Sequence, residues 1–214
     1  MPDALSMTVH SLPSSGSPRR SLLQMWLVIA VCAAPVIASY YSFYVLKPHG
    51  SAYSELIQPA VELPAELPLR DLQGRPVAAS SLKGQWLLIT VQDGACDTAC
   101  ERMLFMQRQL RDMLGKERDK LDKLWLIPDD APLRLELLKA LDQGVAPTLL
   151  RVPREALQGW LRPETGHAYG EHLFLVDPLG RWMMRSPAAP DPSRFKKDLD
   201  RLIKANAGWD RPGR

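Results

Sequence analysis

The stretch from residue 86 to residue 114 places two cysteines between a strand and a helix. Residues 87–91 (LLITV) are apolar, partly β-branched and closed by Gln-Asp-Gly, which predicts a short buried strand. The residues after the cysteines predict an amphipathic helix, because apolar side chains recur near a 3.6-residue period: Met103, Leu104, Met106, Leu110, Met113 and Leu114. Cys96 and Cys100 are therefore expected at or just before a helix N-terminus.

This placement predicts a reactive thiol pair. Unpaired backbone N–H groups and the helix dipole stabilise a thiolate, and lower its pKa below the free value of about 8.5. The Cys-x-x-x-Cys spacing, on one helical turn, puts both sulfur atoms on the same side, within reach of one soft metal ion or of each other. Two other interpretations stay open, namely small buried core residues and a purely structural disulfide.

An apolar segment near the N-terminus predicts a membrane anchor. Residues 22–46 carry no charge and are long enough to cross a hydrocarbon core of roughly 30 Å. Two arginines precede the segment and aromatic residues lie near its other end, so we expect a single-pass helix over 21–46 with a cytoplasmic N-terminus. The rest of the chain is then on the periplasmic, or outer, side of the inner (cell) membrane. A cleavable signal peptide, with Val36-Ile37-Ala38 as its cleavage site, is the alternative.

The expected domain organisation has five parts. A disordered tail over 1–20 precedes the anchor, and a linker over 47–66, with three prolines, follows it. A folded domain over 67–207 and a second disordered tail over 208–214 complete the chain. The net charge is only +3, and basic and acidic residues are interleaved along the helices, so a nucleic-acid partner is not expected.

The folded domain is predicted to have an α/β architecture. Its elements in order are a hairpin over 67–77, the cysteine strand and helix, a strand over 124–127, a helix opened by Asp129, Asp130 and Pro132 and ending at Leu141, a hairpin over 172–184 and a helix over 192–207. Such an order is typical of a thioredoxin-like fold, with one mixed sheet covered by helices on both faces.

Four motifs between residues 67 and 203 resemble the SCO/SenC copper-chaperone family of cytochrome oxidase assembly. They are DLQGRPV at 71–77, CDTAC at 96–100, IPDDAP at 127–132 and LFLVDPLG at 173–180. The resemblance implies a membrane-anchored protein that holds one copper ion through two cysteines and a histidine and delivers it to a respiratory oxidase subunit. Soft sulfur ligands select Cu(I), so we expect that oxidation state.

The chain departs from the family pattern at its cysteine turn. The family has Cys-Pro-x-x-Cys-Pro, whereas Asp97 and Glu101 stand in place of the two prolines. Their negative charge is expected to oppose thiolate formation and mildly favour a bound cation.

A second departure concerns the histidine ligand. The family's histidine lies nine residues before the Pro of the Asp-Pro-x-Gly turn, and Tyr169 occupies that position here. His167 and His172 flank it. The predicted metal ligands are therefore Cys96, Cys100 and His172, with His167 as the alternative to His172.

Three functions fit these residues. The first is a membrane-anchored copper chaperone, and the second is an exported thiol-disulfide oxidoreductase in which Cys96 and Cys100 form the catalytic redox pair. The third is a non-enzymatic oxidase assembly factor with a vestigial cysteine pair. The sequence has neither a Gly-rich phosphate loop nor a Gly-x-Ser-x-Gly elbow, so nucleotide and serine-hydrolase chemistry are not expected.

Overall fold

The structure is a computed structural model of the 214-residue chain and describes residues 18–46 and 52–205. The chain divides into two compact units, Met1–Ser51 and Ala52–Arg214. The expected tails over 1–20 and 208–214 fall outside the described residues, except for residues 18–20, which begin the first helix.

The N-terminal unit contains helix α1 (Pro18–Tyr41), which continues into a π-helical turn, Ser42–Leu46. Its 20-residue stretch Leu22–Tyr41 is long and apolar enough to cross a membrane, which is a statement about length and composition. Pro35 lies inside the helix, within the range of the predicted anchor over 21–46.

The C-terminal unit is built on an eight-stranded mixed sheet in the order β1-β8-β7-β4-β5-β6-β2-β3. The strands are β1 (Glu55–Glu62), β2 (Leu69–Arg70), β3 (Pro76–Val77), β4 (Trp86–Val91), β5 (Leu121–Ile127), β6 (Thr148–Arg151), β7 (Leu173–Val176) and β8 (Arg181–Arg185). Strands β4, β5 and β6 are parallel, and the other pairs are antiparallel. Every residue of β4 is buried, because helices and loops cover both faces of the sheet.

Four helices flank this sheet: α2 (Thr98–Met113), α3 (Leu135–Leu141), α4 (Arg154–Gln158) and α5 (Pro192–Ala205). Helices α2 and α5 pack on one face through a cluster that contains Leu88, Leu110 and Phe195. Helix α4 covers the other face, where Leu157 packs with Ile89. The predicted mixed sheet with helices on both faces is confirmed.

One correction concerns the linker predicted over 47–66. Residues 47–51 are not described, but Glu55–Glu62 form the edge strand β1, which pairs with β8. The prediction of a linker is wrong over Glu55–Glu62, because it treats the prolines as excluding a strand, whereas Pro59 lies inside one. An edge strand leaves one row of backbone groups unpaired, so it tolerates a proline, and the pairing is irregular between Leu56 and Val61.

A second correction concerns the start of α3. The helix begins at Leu135 with Arg134 as its N-cap, so Asp129, Asp130 and Pro132 precede it instead of opening it. The side chain of Asp129 accepts a hydrogen bond from the backbone N–H of Gly94 at 2.9 Å. This carboxylate therefore ties the loop to the end of β4 and does not cap a helix.

Candidate functional site

The cysteine turn, residues 93–97, connects β4 to α2. Asp97 is the N-cap of α2, and its Oδ1 accepts a hydrogen bond from the backbone N–H of Cys100 at 2.9 Å. Cys100 lies in the first turn of the helix, whereas Cys96 lies before it with a φ of 42°. Both cysteines therefore lie at or just before the helix N-terminus, as predicted, although Cys96 is outside the first helical turn and adopts the left-handed region that non-glycine residues rarely enter.

The structure brings the two cysteines together as a disulfide, with their Cα atoms 5.1 Å apart. Cys96 is 3% exposed and Cys100 is 2% exposed. Both pack in one cluster with Leu104, Trp125 and Ile127. Because thiol-disulfide exchange begins with attack of a thiolate on one of the two sulfur atoms, this disulfide can react only when its surroundings move.

The segment that follows β5, residues 128–134, packs beside the disulfide, and we call it the cover segment. Leu133 packs against the cysteine cluster. At the end of the segment, Arg134 donates from Nη2 to the carbonyl oxygen of Cys96 at 2.7 Å and forms an ion pair with Glu101. One guanidinium thus connects the cover segment to both sides of the cysteine pair, and it balances the charge of Glu101.

Two further contacts hold the cover segment. Arg151 donates to the carbonyl oxygens of Asp129 and Ala131, the latter at 2.9 Å. At Gly94 the backbones are so close that an added Cβ would lie 2.5 Å from the carbonyl oxygen of Ala131. A side chain at position 94 would displace the cover segment.

His172 lies at the end of a second segment, residues 164–172, which we call the histidine loop. Its ring is fully buried, and the backbone N–H of Glu164 donates to its Nε2 at 3.3 Å. Nδ1 therefore carries the proton and donates to the carbonyl oxygen of Ser186 at 2.8 Å. Burial lowers the pKa of His172, although the bond to Ser186 opposes this effect.

His167 lies in the same loop but is exposed. Its Nδ1 lies 2.6 Å from Oε2 of Glu171, and this hydrogen bond is the main reason that the pKa of Glu171 is lowered. The rings of His167 and His172 are 5.8 Å apart. Tyr169, between them, donates its hydroxyl to the carbonyl oxygen of Leu161 at 2.9 Å, so it holds the loop in place.

The histidine loop lies next to the cysteine helix. The short turn Tyr169–Glu171 approaches both β4 and α2 to within 8 Å between Cα atoms. Gln92, at the end of β4, donates from Nε2 to the carbonyl oxygen of Gly170 at 2.7 Å. The two halves of the predicted site are therefore adjacent.

Proximity of the cysteine turn and the histidine loop does not by itself form a metal site. Across residues 18–46 and 52–205, no group of three or more histidine, cysteine, aspartate or glutamate side chains is arranged to hold a metal ion. The structure brings Cys96 and Cys100 together and leaves His172 hydrogen-bonded to Glu164 and Ser186, and His167 to Glu171. The set of Cys96, Cys100 and His172, with His167 as the alternative, stays a prediction for the reduced protein.

Sequence reasoning missed the residues that cover the disulfide. Arg134 and Arg151 act on residues 38 and 20 positions away, and no local pattern reveals such contacts. Gly94 was the one available signal, since a glycine beside a reactive turn often marks a close backbone approach.

Comparison with known proteins identifies the domain. A protein-family model described as "Transmembrane-like, thioredoxin-like, C-terminal domain" matches residues 86–206. No curated protein matches the chain.

Several solved structures share this fold. Yeast Sco1 with copper bound is 17% identical, with a TM-score of 0.54 over 72% of this chain and 99% of that chain. A SCO1/SenC family lipoprotein from Bacillus anthracis is 19% identical, with a TM-score of 0.52 over 71% and 99% of the two chains. BsSco, a cytochrome c oxidase assembly protein with a disulfide switch, is 18% identical, with a TM-score of 0.51 over 69% and 94%. These similarities confirm the resemblance to the SCO/SenC family at the level of the fold.

Proposed function

Because the chain belongs to the transmembrane-like, thioredoxin-like C-terminal domain family, we propose that it is a membrane-anchored, SCO-like copper chaperone for a respiratory cytochrome oxidase. The observation that carries this proposal is the Cys96–Cys100 disulfide on a scaffold shared with copper-bound yeast Sco1. Helix α1 would anchor the protein in the inner membrane, with its N-terminus in the cytoplasm and the folded domain on the periplasmic side.

Copper binding requires reduction first. A partner dithiol would give two electrons and two protons to the disulfide, leaving two thiols here and a disulfide on the partner. Cu(I) would then bind as the two thiol protons leave, since soft metal ions bind the thiolate form. The copper ion is the cargo, and a respiratory oxidase subunit would receive it.

The third ligand in this proposal is His172. Metal-bound histidines commonly donate their second ring N–H to a backbone carbonyl, which fixes the ring and its tautomer. Ser186 plays that part for Nδ1 of His172, and Nε2 accepts only a long hydrogen bond of 3.3 Å from Glu164. His167, with Nδ1 oriented by Glu171, is the alternative. The donor set therefore fits Cu(I) once the disulfide is reduced and one histidine turns toward the sulfur atoms.

The test is an anaerobic Cu(I) titration of the reduced full chain in nanodiscs, against a competing chelator. The chain has three cysteines, so Cys32 in α1 must be controlled. We expect one tightly bound copper in the wild type and in Cys32→Ala, loss of tight binding in Cys96→Ala, and weaker binding in His172→Ala. If His167→Ala, and not His172→Ala, bound copper more weakly than the wild type, His167 would be the third ligand. Equal binding by Cys96→Ala and the wild type would refute copper delivery through this pair.

A second candidate function is thiol-disulfide exchange on the client's cysteines. Two observations favour it: the pair is oxidised in the structure, and both ring nitrogens of His172 are engaged. An oxidoreductase would equilibrate with a partner dithiol at a defined potential and would lose that exchange in Cys100→Ser. Full activity of Cys100→Ser on client cysteines would exclude this function.

A further inference from the structure

A groove of about 390 Å³ lies between α2 and α3, on the face of the sheet that carries the cysteine cluster. Along α2 its lining runs from Glu101, beside the disulfide, through Leu104 and Phe105 to Arg108. Leu137 and Leu141 line it from α3. The volume is within the range of small-molecule sites, about 300–1,000 Å³.

A buried lysine lies in this groove. Lys123, on β5, is 6% exposed and is part of the lining. In the part of the chain that the structure describes, the side chain of Lys123 forms neither a hydrogen bond nor an ion pair. Burial is the main reason that the pKa of Lys123 is lowered, the charges of Arg111 and Arg108 add to the effect, and Asp112 opposes it. The stem of this side chain is buried, and its ammonium reaches the open groove, where a negatively charged group can contact it.

The charges around Lys123 are unevenly satisfied. Arg111 donates to the carbonyl oxygen of Leu121 at 2.9 Å and pairs with Asp119 at 3.2 Å, so its guanidinium is occupied. Arg108, half-buried and also part of the lining, forms no ion pair with any described residue. The groove thus offers an ammonium and a guanidinium beside an apolar wall, and its lining also contains Glu101, which pairs with Arg134, and Glu136.

We propose that the α2–α3 groove binds a small amphiphilic carboxylate, a compact apolar group that carries one carboxyl group. The carboxylate would lie at Lys123 and Arg108, and the apolar part would lie against Leu104, Phe105 and Leu141. Carboxylate binding would give Lys123 the partner that it lacks, and an apolar body would cover Phe105, which is 60% exposed. The site does not use the cysteine sulfur atoms, so it goes beyond the proposed copper function.

The probe is 4-fluorobenzoate, with 4-fluorobenzamide as its neutral counterpart. Binding is followed by ¹⁹F NMR line broadening with the oxidised full chain in nanodiscs, and empty nanodiscs give the background for partition into lipid. We expect saturable binding of the carboxylate and at least tenfold weaker binding of the amide, since removal of a charge-assisted contact is worth about tenfold or more.

Variants locate the site. Lys123→Met keeps the length and apolar stem of the side chain and is expected to weaken carboxylate binding about tenfold. Lys197→Met, at an exposed position on α5, is the matched control and should bind as the wild type does. Arg108→Gln changes a half-buried residue and is easier to accommodate. It should weaken carboxylate binding severalfold, so it tests the proposal even if Lys123→Met does not fold. Absence of saturable binding, equal binding of the amide, or unchanged binding by folded Lys123→Met and Arg108→Gln would each overturn the proposal. The carboxylate titration uses the oxidised wild-type chain and the copper titration uses the reduced chain, so the two proposals can fail separately.

Discussion

The cysteine turn and the histidine loop lie side by side but are held in opposite ways. The cysteines are joined by a covalent bond and shielded by the cover segment, which Arg134 attaches to Cys96 and Glu101. The histidines are held by hydrogen bonds, to Glu164 and Glu171 within their own loop and to Ser186 outside it. The two cysteines are therefore joined but would have to be reduced before they could bind a metal, whereas Nε2 of His172 is engaged only by a long hydrogen bond from Glu164.

The largest expected difference lies within the histidine loop. His172→Ala removes a fully buried ring and leaves the carbonyl of Ser186 and the N–H of Glu164 without their partner, so we expect a loss of about 3 kcal/mol in the free energy of unfolding. His167→Ala acts on an exposed ring and should change it by at most about 0.5 kcal/mol. Denaturant titration of the oxidised protein measures both. If His172→Ala lost no more free energy of unfolding than about 0.5 kcal/mol, as expected for His167→Ala, the loop would not depend on His172.

The next prediction compares one glycine from each half. In Gly94→Ala the new Cβ would meet the carbonyl oxygen of Ala131 at 2.5 Å, a backbone atom that Arg151 also holds. In Gly170→Ala the nearest atom is Oε1 of Gln92 at 2.7 Å, the end of a side chain that can turn away. We expect Gly94→Ala to lower the free energy of unfolding by about 2 kcal/mol and Gly170→Ala by less than about 1 kcal/mol.

Reactivity of the disulfide provides the control for this pair. Gly94→Ala should also accelerate reduction by a small thiol, because it displaces the cover segment, and Gly170→Ala should not. A Gly94→Ala protein as stable and as slowly reduced as the wild type would show that the cover segment accommodates the extra methyl group.

The same contrast separates what the sequence predicts well from what it predicts poorly. The continuous apolar run of β4 and the 3.6-residue period of α2 are local signals, and both elements occur where they are predicted. Strand β1 gives no such signal, since its residues are largely exposed and Pro59 interrupts the pattern. It is held by long-range contacts, namely pairing with β8, more than a hundred residues away in the chain, and packing of Ile57 and Val61 against the buried cluster that contains Ile89.

The candidate site follows the same rule. Cys96 and Cys100 are recognisable from their spacing, and their disulfide closes over a sequence separation of 4. The start of α3 was mispredicted because Asp129 looks like a helix-opening residue, yet its carboxylate binds Gly94, 35 residues earlier. Because the carboxylate of Asp129 is bonded to a residue distant in sequence, it is not available to cap α3, and the local pattern predicts the wrong helix start.

A smaller effect is expected when one contact of the cover segment is removed. Arg134→Ala deletes the hydrogen bond to Cys96 and the ion pair with Glu101, which should favour opening and accelerate reduction of the disulfide by a small thiol about tenfold. Arg154→Ala is the matched control, because Arg154 pairs with Asp93 in the cysteine turn at 2.7 Å but does not contact either cysteine. The rate at which a small thiol reduces the disulfide of the oxidised protein is measured by stopped-flow mixing. Equal acceleration by both variants would indicate a general electrostatic effect instead of release of the cover.

The smallest expected effect is a pH dependence that distinguishes the two histidines. Burial lowers the pKa of His172 below the ordinary value of about 6.5, with smaller contributions of the same sign from Arg185 and His167, while Ser186 and Glu164 oppose it. The unfolded chain therefore binds this proton more readily than the folded protein. The stability that neutral His172 contributes is complete above about pH 6.5 and is lost as the pH falls through the lowered folded-state pKa.

We expect the denaturation midpoint of the oxidised protein to decrease between about pH 7 and pH 5, a range above that in which Glu171 titrates. His172→Gln should flatten this decrease even though it is less stable throughout, whereas His167→Gln, at the exposed ring, should keep it. If the slope persisted in His172→Gln, the proton would be binding elsewhere, and the buried imidazole would not be the group that opposes acidification.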